Sequence, residues 1–339
     1  MKPIVWHLIG DKGKGGSNLL VRQLITSSLA QQFDFAVWRI EEAKVQLKKN
    51  VPNVIIFHYA CAWKHLADLW FLKQRCPVYI YDHHYSQGFE QHQVSSPCRF
   101  HLMLRLAYGL ADGIVSISNA QRDWILSHKL VNPNKIRIIY SASPVASFLA
   151  IPPKSSGNPL KIGAYGRFVS QKGFDLLLSA FASLPGEKFQ LYLGGYGQNE
   201  SSIKNLAQDF PHVKLLGAIE DVPKFLADCD AIAIPSRWEP WGLVCLESKA
   251  AGKPVIVFAV DGLREQVILE AEDSQSNEFQ VGDYGIIVPP QNVGQLTKAI
   301  ASLPQTNLKA LGEAGRASVA NAWSEFLHSW SVFLGEVIG

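Results

Sequence analysis

Short apolar runs alternate with longer segments of helical period along the whole chain. Segments such as 19–32 and 100–111 repeat their apolar residues at intervals of three and four. Continuous apolar runs separated by such helices predict parallel sheets that are covered on both faces. The runs form two successive groups: PIVWHLIG (3–10), FAVWRI (35–40), NVIIFHY (53–59), PVYIYD (77–82), GIVSIS (113–118) and IRIIYS (136–141), then KIGAYG (161–166), FQLYLGG (189–195), VKLLG (213–217), DAIAIPS (230–236), KPVIVFAV (253–260) and GIIVPP (285–290). Each group predicts one doubly wound βαβ domain.

The pattern pauses at 142–160, a segment rich in Pro, Ser and Gly that predicts a linker. We therefore expect a first domain at 1–150 and a second at 151–322. The last segment, 323–339, is expected to form a helix that packs back on the first domain. The predicted fold class is α/β, with two doubly wound Rossmann-like domains that face each other across a cleft. Ligands in such folds bind at the carboxyl ends of the strands.

Composition narrows the class of protein. Of the 339 residues, 47% are hydrophobic and 18% are charged, which is enough apolar material for two cores. The net charge of +3 argues against a nucleic-acid-binding protein. The charge is uneven, because residues 1–150 hold 17 Lys and Arg against 9 Asp and Glu, whereas the remainder holds 15 against 20. The first half is expected to meet an anionic partner, either a phosphate-bearing substrate or a membrane surface.

The arrangement of the cysteines and the length of the apolar stretches predict the cellular compartment of the protein. The five cysteines are scattered and form no C-x-x-C pair, which argues against a disulfide framework and a structural zinc site, and favours a reducing compartment. The first apolar run is too short for a signal peptide, and no window of about 18 apolar residues predicts a membrane span. We expect a soluble cytoplasmic protein. Peripheral membrane contact stays open through 99–111, which is basic and apolar, although a core-facing helix is the favoured interpretation there.

Two glycine-rich loops follow predicted strands. The first, GDKGKGGS (10–17), lets backbone N–H groups approach a phosphate, but its spacing fits neither G-x-G-x-x-G nor a Walker loop, and a plain tight turn is the alternative. The second lies at 164–175 and carries Arg167 and Lys172 five residues apart. Two cations at the carboxyl end of a strand would neutralise a diphosphate, although an ordinary solvated pair has the same pattern.

The segment WEPWGLVCLE (238–247) follows a buried strand and leads into a helix. Glu239 lies in the loop and Glu247 in or near the first helical turns. Carboxylates at this place can bind sugar hydroxyls, while free N–H groups at the helix start accept a phosphate. Taken alone, the segment is also explained as a capped helix with a surface Glu.

The order of these motifs closely resembles family 4 glycosyltransferases, the retaining, nucleotide-sugar-dependent enzymes of GT-B architecture. Residues 162–290 match best, through GRFVSQKG, IPSRWEPWGLVCLE, AGKPVIV and DGLREQV. Residues 1–150 match loosely, through a Gly-Gly pair, the strand that ends at YDHH and the run ADGIVSIS.

The resemblance implies roles for individual residues. It implies a diphosphate clamp of Arg167 and Lys172, a contact from Glu239 to the transferred sugar, and one from Glu247 to the ribose. The amides of Gly242, Leu243 and Val244 would lie beside the sugar and phosphates. Gly15 and Gly16 would close over the diphosphate, and the backbone near Ile219 would read the base.

The resemblance also implies that a strand-end histidine lies beside the reacting sugar. His83 aligns best, although His84 is one residue away. Where the family often shows Asn-Gly-Val-Asp after the sixth strand, this chain has YSASPV (140–145), so it departs from the family pattern on the acceptor side. No nucleophile with a neighbouring base is visible in the sequence. The resemblance implies front-face departure of the nucleoside diphosphate, and Arg167, Lys172 and the helix amides would stabilise the charge that develops on it.

The implied activity is transfer of a hexose-type sugar from a nucleotide diphosphate sugar to a glycan or lipid-linked acceptor, in polysaccharide or glycolipid biosynthesis. No cofactor and no metal is expected for this step, because cationic side chains neutralise the diphosphate. The D-x-D at 228–230 is explained as the end of a helix before a strand. The alternatives are a nucleotide-sugar epimerase, a phosphorylase, or a non-catalytic sugar-nucleotide-binding protein on the same fold.

Overall fold

The structure is a computed structural model that describes residues 1–10, 16–268 and 276–339. The chain divides into two compact units. Unit 1 comprises Met1–Ser143 and Ala322–Gly339, and unit 2 comprises Pro144–Asn321. The passage from unit 1 to unit 2 lies inside the segment rich in Pro, Ser and Gly at 142–160.

Unit 1 contains an all-parallel sheet, whose six strands in the described residues have the order β2–β1–β3–β4–β5–β6. Its strands are β1 (Ile4–Leu8), β2 (Asp34–Trp38), β3 (Val54–Phe57), β4 (Val78–Asp82), β5 (Gly113–Ser116) and β6 (Ile136–Ile138). The helices that follow them are α1 (Gly16–Ile25), α2 (Ile40–Gln46), α3 (Leu66–Lys73), α4 (Gln87–Gln93), α5 (Pro97–Leu110) and α6 (Asn119–Ser127). Strand order reverses beside β1, so the carboxyl ends of β1, β3 and β4 are neighbours at one edge.

Unit 2 contains a sheet whose described strands have the order β12–β13–β11–β10–β7–β8–β9. They are β7 (Leu160–Arg167), β8 (Phe189–Tyr196), β9 (Val213–Gly217), β10 (Ala231–Ile234), β11 (Val255–Phe258), β12 (Gln280–Val281) and β13 (Gly285–Val288). All pairs are parallel except β12 with β13. Strand β12 was not predicted, because two residues are too few to show a pattern. Strands β7 and β10 are neighbours, so the loops after them meet.

The helices of unit 2 cover both faces of this sheet in the manner of a doubly wound fold. They are α7 (Ala146–Leu149), α8 (Phe174–Phe181), α9 (Glu200–Ala207), α10 (Val222–Asp228), α11 (Leu243–Ala250), α12 (Asp261–Glu265), α13 (Val293–Ala301) and α14 (Leu308–Val319). Strands β10 and β11 are buried at every position, as are β3 and β5 in unit 1. Burial on both faces is the reason that these strands read as unbroken apolar runs, and the predicted doubly wound class is confirmed.

The last helix, α15 (Ala322–Ile338), belongs to unit 1. Its Trp330 is fully buried, with the ring centroid 5.2 Å from that of Tyr81 and 6.1 Å from that of His7. The core of unit 1 is therefore completed by residues from both ends of the chain. Among the described residues, no helix combines the length and the apolar character needed to cross a membrane.

Candidate functional site

The loop after β7 positions Lys172. A 3₁₀ turn (Ser170–Lys172) carries this residue, and Gly173 then takes φ +63°, a left-handed conformation that costs little only for glycine. A Cβ on Gly173 would lie 2.0 Å from the carbonyl oxygen of Pro235, just beyond β10. The turn thus lies directly against the end of the neighbouring strand.

Lys172 meets Glu239, from which it is separated by 67 positions in the chain. The Lys172 ammonium forms a hydrogen-bonded ion pair with Oε2 of Glu239, and the two side chains are only 17% and 11% exposed. The hydroxyl of Ser236 donates to the same oxygen at 3.2 Å, and the N–H of Glu239 donates to Oδ2 of Asp261 at 2.9 Å. The carboxylate is held at one oxygen, while Oε1 accepts no hydrogen bond from a described side chain.

Beside Glu239, helix α11 begins with uncapped N–H groups. Gly242 at the helix start has φ +97°, and no side chain caps the helix. A Cβ on Gly242 would lie 2.7 Å from Leu263 Cδ2 and 3.0 Å from Glu239 Cγ, so the backbone approaches the carboxylate closely. The first-turn amides of Leu243 and Val244 have no intrahelical acceptor, which leaves N–H donors and the positive end of the helix dipole for an anion.

Arg167 and Arg237 differ in their contacts. Arg167 ends β7, is exposed, and makes no ion pair with any residue that the structure describes. Arg237 is held by Asp175 through two N–H groups, at 2.9 and 2.6 Å, and donates to the carbonyl of Ser170 at 2.7 Å. Arg237 therefore stabilises the turn that carries Lys172. The guanidinium of Arg167, in contrast, is exposed and can bind an anionic ligand.

Glu247 lies in α11 with its carboxylate largely buried. The hydroxyl of Tyr165, which lies in β7, donates to its Oε2 at 2.7 Å. Burial raises the pKa of Glu247 to about 7, and the hydrogen bond from Tyr165 opposes this rise only in part. The carboxyl group can therefore gain or lose a proton near neutral pH.

Ile219 lies in the loop between β9 and α10. A Cβ on Gly194, in β8, would lie 2.3 Å from Ile219 Cγ1, so the glycine makes room for this side chain. Asp221 ends the loop by accepting the N–H of Lys224 at 3.0 Å as the cap of α10. The loop is thus fixed at both ends, with its backbone beside the end of β8.

In unit 1, His83 follows β4 and is the last member of a chain of three histidines. Nδ1 of His7 lies 2.8 Å from Nε2 of His58, and Nδ1 of His58 lies 2.9 Å from Nε2 of His83. Burial lowers the pKa of His7 and of His83 to about 3, and burial together with the neighbouring histidines lowers the pKa of His58 well below 6.5. The rings are therefore neutral at pH 7. Because each contact needs one donor and one acceptor, the three tautomers are coupled.

The residues beside His83 have structural contacts. Asp82 is buried and accepts hydrogen bonds from the hydroxyl of Tyr108 at 2.6 Å and from the N–H groups of His84 and Tyr85 at 2.8 and 3.2 Å. His84 Nε2 lies 3.4 Å from the carbonyl oxygen of His58, which accepts. Asp82 thus fixes the loop that presents His83.

The remaining sequence-predicted glycines lie at the first loop. Gly15 lies outside the described residues. Gly16 begins α1, and a Cβ added to it would meet nothing within 4 Å. In the D-x-D segment, the carboxylate of Asp230 accepts hydrogen bonds from the N–H of Lys161 at 2.8 Å and from that of Gly157 at 3.3 Å. These contacts hold the start of β7 in place.

Sequence reasoning missed several partners of the predicted residues. Tyr165, Ser236 and Asp261 orient the two glutamates, and none of them stands out in the sequence. His7 and His58 carried a usable signal, because they lie at the carboxyl ends of β1 and β3, and β3 is the neighbour of both β1 and β4.

Two family models match the chain. The model for glycosyl transferases group 1 matches residues 150–317, and the model for Glycosyltransferase Family 4 matches residues 13–143. Between them they cover most of both units.

Curated relatives match the chain over a shorter segment. An uncharacterised glycosyltransferase of Methanocaldococcus jannaschii is 32% identical over 157 residues, 44% of this chain and 40% of that protein. The GDP-mannose-dependent monoacylated alpha-(1-6)-phosphatidylinositol monomannoside mannosyltransferase of Corynebacterium glutamicum is 32% identical over 177 residues, 48% of this chain and 43% of that protein. The chain thus matches less than half the length of these relatives.

Solved structures match over nearly the whole chain. Sucrose-phosphate synthase from Thermosynechococcus elongatus has a TM-score of 0.80 at 22% identity, covering 99% of both chains. Anabaena HepE in complex with UDP and glucose has a TM-score of 0.73 at 17% identity, covering 97% of this chain and 98% of that one. At such identity the likeness concerns the fold, and it confirms the predicted two-domain α/β class.

Proposed function

We propose that this chain, which belongs to the family 4 glycosyltransferases of GT-B fold, is a retaining hexosyltransferase. The donor is a nucleotide diphosphate sugar and the acceptor a glycan or a lipid-linked sugar. A relative whose name specifies GDP-mannose supports the donor class, and a fold neighbour bound to UDP and glucose agrees with it.

One observation carries the proposal: Lys172, Glu239 and the uncapped start of α11 lie together in unit 2. The arrangement offers a cation and N–H donors for a diphosphate, beside a carboxylate with one oxygen available for sugar hydroxyls. Arg167 adds an exposed guanidinium at the end of the adjacent strand. Each of these features alone is common in proteins. Together, the cations and N–H donors match the negative diphosphate of a nucleotide sugar, and the carboxylate matches its sugar hydroxyls.

In the proposed mechanism, the bond between the sugar and the diphosphate breaks first, and the departing β-phosphate accumulates negative charge. Lys172, Arg167 and the amides of Leu243 and Val244 stabilise that charge, which lowers the barrier. The leaving phosphate accepts the proton of the acceptor hydroxyl, which attacks the same face of the sugar. Because these cations are side chains, the step as proposed needs no metal.

In unit 2, we assign the hydroxyl contacts of the transferred sugar to Glu239 and those of the ribose to Glu247. In unit 1, we propose His83 as a hydrogen-bonding residue for a sugar hydroxyl. A neutral His83 can donate or accept, according to the tautomer of the histidine chain. Glu247 has a pKa of about 7 and can hydrogen-bond a hydroxyl in either protonation state.

The acceptor side is proposed to lie on unit 1, whose sequence holds the basic excess of the chain. Helix α5 buries Met103 and Leu104 but leaves Leu102 and Leu106 about half exposed. An apolar strip on a basic unit suits a lipid-linked acceptor or an anionic membrane surface. The free thiols of the five cysteines fit a reducing compartment, and we propose the cytoplasm.

The test compares nucleotide binding by the wild type with that by Lys172→Ala and Lys188→Ala. Lys188 is an exposed lysine before β8, at the amino end of the same sheet, and serves as the matched control. Thermal shifts are measured with UDP, GDP, ADP and CMP and their sugar conjugates, each against a nucleotide-free sample in the same buffer, with and without EDTA. A ligand at about 100 times its Kd stabilises by about 2.7 kcal/mol, which such a melt detects.

We expect one nucleotide diphosphate to stabilise the wild type and Lys188→Ala, but not Lys172→Ala, equally with and without EDTA. Turnover of the matching sugar nucleotide should fall about 100- to 1,000-fold in Lys172→Ala. NMR of the first-formed product should show the anomeric configuration of the donor. Absence of any nucleotide effect in the wild type would contradict the donor assignment, and an inverted product would contradict retention alone.

A further inference from the structure

Three side chains of unit 1 that play no part in the proposed transfer converge between helices α4, α5 and α6. They are Glu90 on α4, His101 on α5 and His128 at the end of α6. One ligand atom from each lies within 4.8 Å of the others. Glu90 and His101 have side chains that are 13% exposed, whereas His128 retains 37% of its surface.

The tautomer of His128 is set by its surroundings. Its Nδ1 lies 2.9 Å from the carbonyl oxygen of Trp124, and because a carbonyl only accepts, Nδ1 carries the proton. In the neutral ring, Nε2 then holds a lone pair, and it lies 4.0 Å from Glu90 Oε2. Nε2 of His128 and Oε2 of Glu90 are therefore two acceptor atoms that face each other without a proton to share.

His101 completes the group without a hydrogen bond. Its Nε2 is buried and lies 2.9 Å from Glu90 Oε1, but the contact lacks the direction that an N–H···O bond requires. A buried ring nitrogen without a hydrogen-bond partner is uncommon in a native fold. A cation between these atoms would give each of them a partner.

The partners behind these groups resemble those of a metal centre. A ligating histidine characteristically donates its other ring N–H to a carbonyl, as His128 does, and a ligating carboxylate is itself hydrogen-bonded. Here Trp124 Nε1 donates to Glu90 Oε2 at 2.8 Å, which leaves Oε1 to face His101. These contacts hold the ligand atoms in place from outside the cluster.

Two imidazoles and one carboxylate form a donor set suited to Zn²⁺. A tetrahedral zinc with bonds of about 2.0–2.1 Å holds its ligand atoms about 3.4 Å apart, so atoms that lie within 4.8 Å of one another approach by at most about 1.4 Å on binding. The exposed edge of His128 leaves room for water as a fourth ligand. We propose that Glu90, His101 and His128 bind one zinc ion, which links three helices of unit 1.

The test uses the untagged full-length chain, stripped with EDTA and dialysed free of chelator. Zinc is titrated against a competing chelating dye, and bound metal is counted by mass spectrometry. The variants are Glu90→Gln and His128→Gln, and the matched control is His328→Gln, an exposed histidine on α15. Circular dichroism checks that each variant folds.

We expect one zinc per wild-type chain. Loss of a partner behind a ligand typically weakens binding 10- to 100-fold, so loss of a ligand in Glu90→Gln or His128→Gln should weaken it more than about 100-fold. His328→Gln should stay within about twofold of the wild type. The proposal is overturned if the wild type and Glu90→Gln bind zinc with equal affinity, or if the wild type binds no stoichiometric zinc. The three side chains would then form a cluster of imidazole and carboxylate groups that binds no metal.

If a variant does not fold, the visible absorption spectrum of cobalt(II) added to the metal-free wild type tests the site instead. Strong visible bands of four-coordinate cobalt, displaced by one equivalent of zinc, support the site. A spectrum equal to that of aqueous cobalt overturns it.

Discussion

At the scale of single residues, the environment of Glu247 opposes the charge of its carboxylate. Its pKa is about 7 in the folded chain against 4.5 for an ordinary Glu, so the fold binds this proton more tightly than the unfolded chain does. The ionised carboxylate therefore costs stability. The cost is absent below about pH 4.5, grows as the pH rises, and is complete above about pH 7.

We predict that Glu247→Gln, which still accepts from Tyr165, is more stable than the wild type at pH 8 by about 1–3 kcal/mol, a range reduced for the partial solvent access of this residue. At pH 5 the gain should be much smaller. Urea unfolding at both pH values measures the difference, with the exposed Glu187→Gln as control. A gain of the same size at both pH values would refute the burial of a charged carboxylate.

The histidine chain has the opposite dependence on pH. His7 and His83 have pKa values of about 3 in the fold against 6.5 for an ordinary His, so the unfolded chain binds these protons first. Stability is therefore fully present above about pH 6.5 and is lost as the pH falls towards 3, by up to about 1.4 kcal/mol per pH unit for each ring.

We predict that His58→Asn, which removes this titrating ring, reduces the number of protons taken up on unfolding between pH 6.5 and 5 by about one. The slope of the unfolding free energy against pH falls accordingly. The measurement is urea unfolding at three pH values in that interval. The exposed His328→Gln should keep the wild-type slope. An unchanged slope in His58→Asn would mean that this ring is not held neutral by the fold.

At the scale of elements, the turn between β7 and α8 depends on one glycine. Gly173 and Gly217 have nearly the same conformation, with φ +63° and +69°, but differ in surroundings. A Cβ on Gly173 meets a backbone carbonyl at 2.0 Å, whereas one on Gly217 meets nothing within 4 Å. Comparing alanine substitutions at Gly173 and Gly217 therefore separates the energetic cost of the left-handed conformation from the cost of a steric clash with the added Cβ.

We predict that Gly217→Ala costs about 1–2 kcal/mol, the left-handed penalty alone, and that Gly173→Ala costs at least about 3 kcal/mol. Urea unfolding supplies both values. Gly173→Ala should also weaken nucleotide binding, because the clash moves the turn that carries Lys172. Equal destabilisation by the two substitutions would show that the turn can shift away from Pro235.

At the scale of the whole molecule, unit 1 is discontinuous and depends on the last helix of the chain. Trp330 packs against His7 of β1 and Tyr81 of β4. Truncation of a fully buried aromatic typically costs 3–5 kcal/mol, whereas exposed positions change stability by about 0.5 kcal/mol or less.

We predict that Trp330→Ala destabilises unit 1 by about 3–5 kcal/mol and that Trp70→Ala, at a 57% exposed position of α3, has little effect. Hydrogen exchange followed by mass spectrometry should show faster exchange in β1, β3 and β4, with β7, β10 and β11 unchanged. Uniform loss of protection over both units would contradict the assignment of α15 to the core of unit 1.

Local structure was largely predictable from the sequence. Apolar runs marked the strands because most strands of both sheets are covered on two faces, so their sequences are nearly continuous in apolar residues. Gly173 in the second loop and Gly242 at the start of α11 were also readable, since they occupy conformations that other residues avoid. Among the strands in the described residues, β12 alone was missed, because its two residues are too few to show a pattern and it forms by pairing with β13.

The tertiary structure alone decided which of these residues meet. Lys172 pairs with Glu239, Glu247 with Tyr165, and His83 with His58 because neighbouring strands of a doubly wound sheet come from distant parts of the chain. The convergence of Glu90, His101 and His128 arises in the same way from the packing of three helices. Periodicity records which side of an element is buried, but contact between elements depends on their order and packing, which a local pattern does not contain.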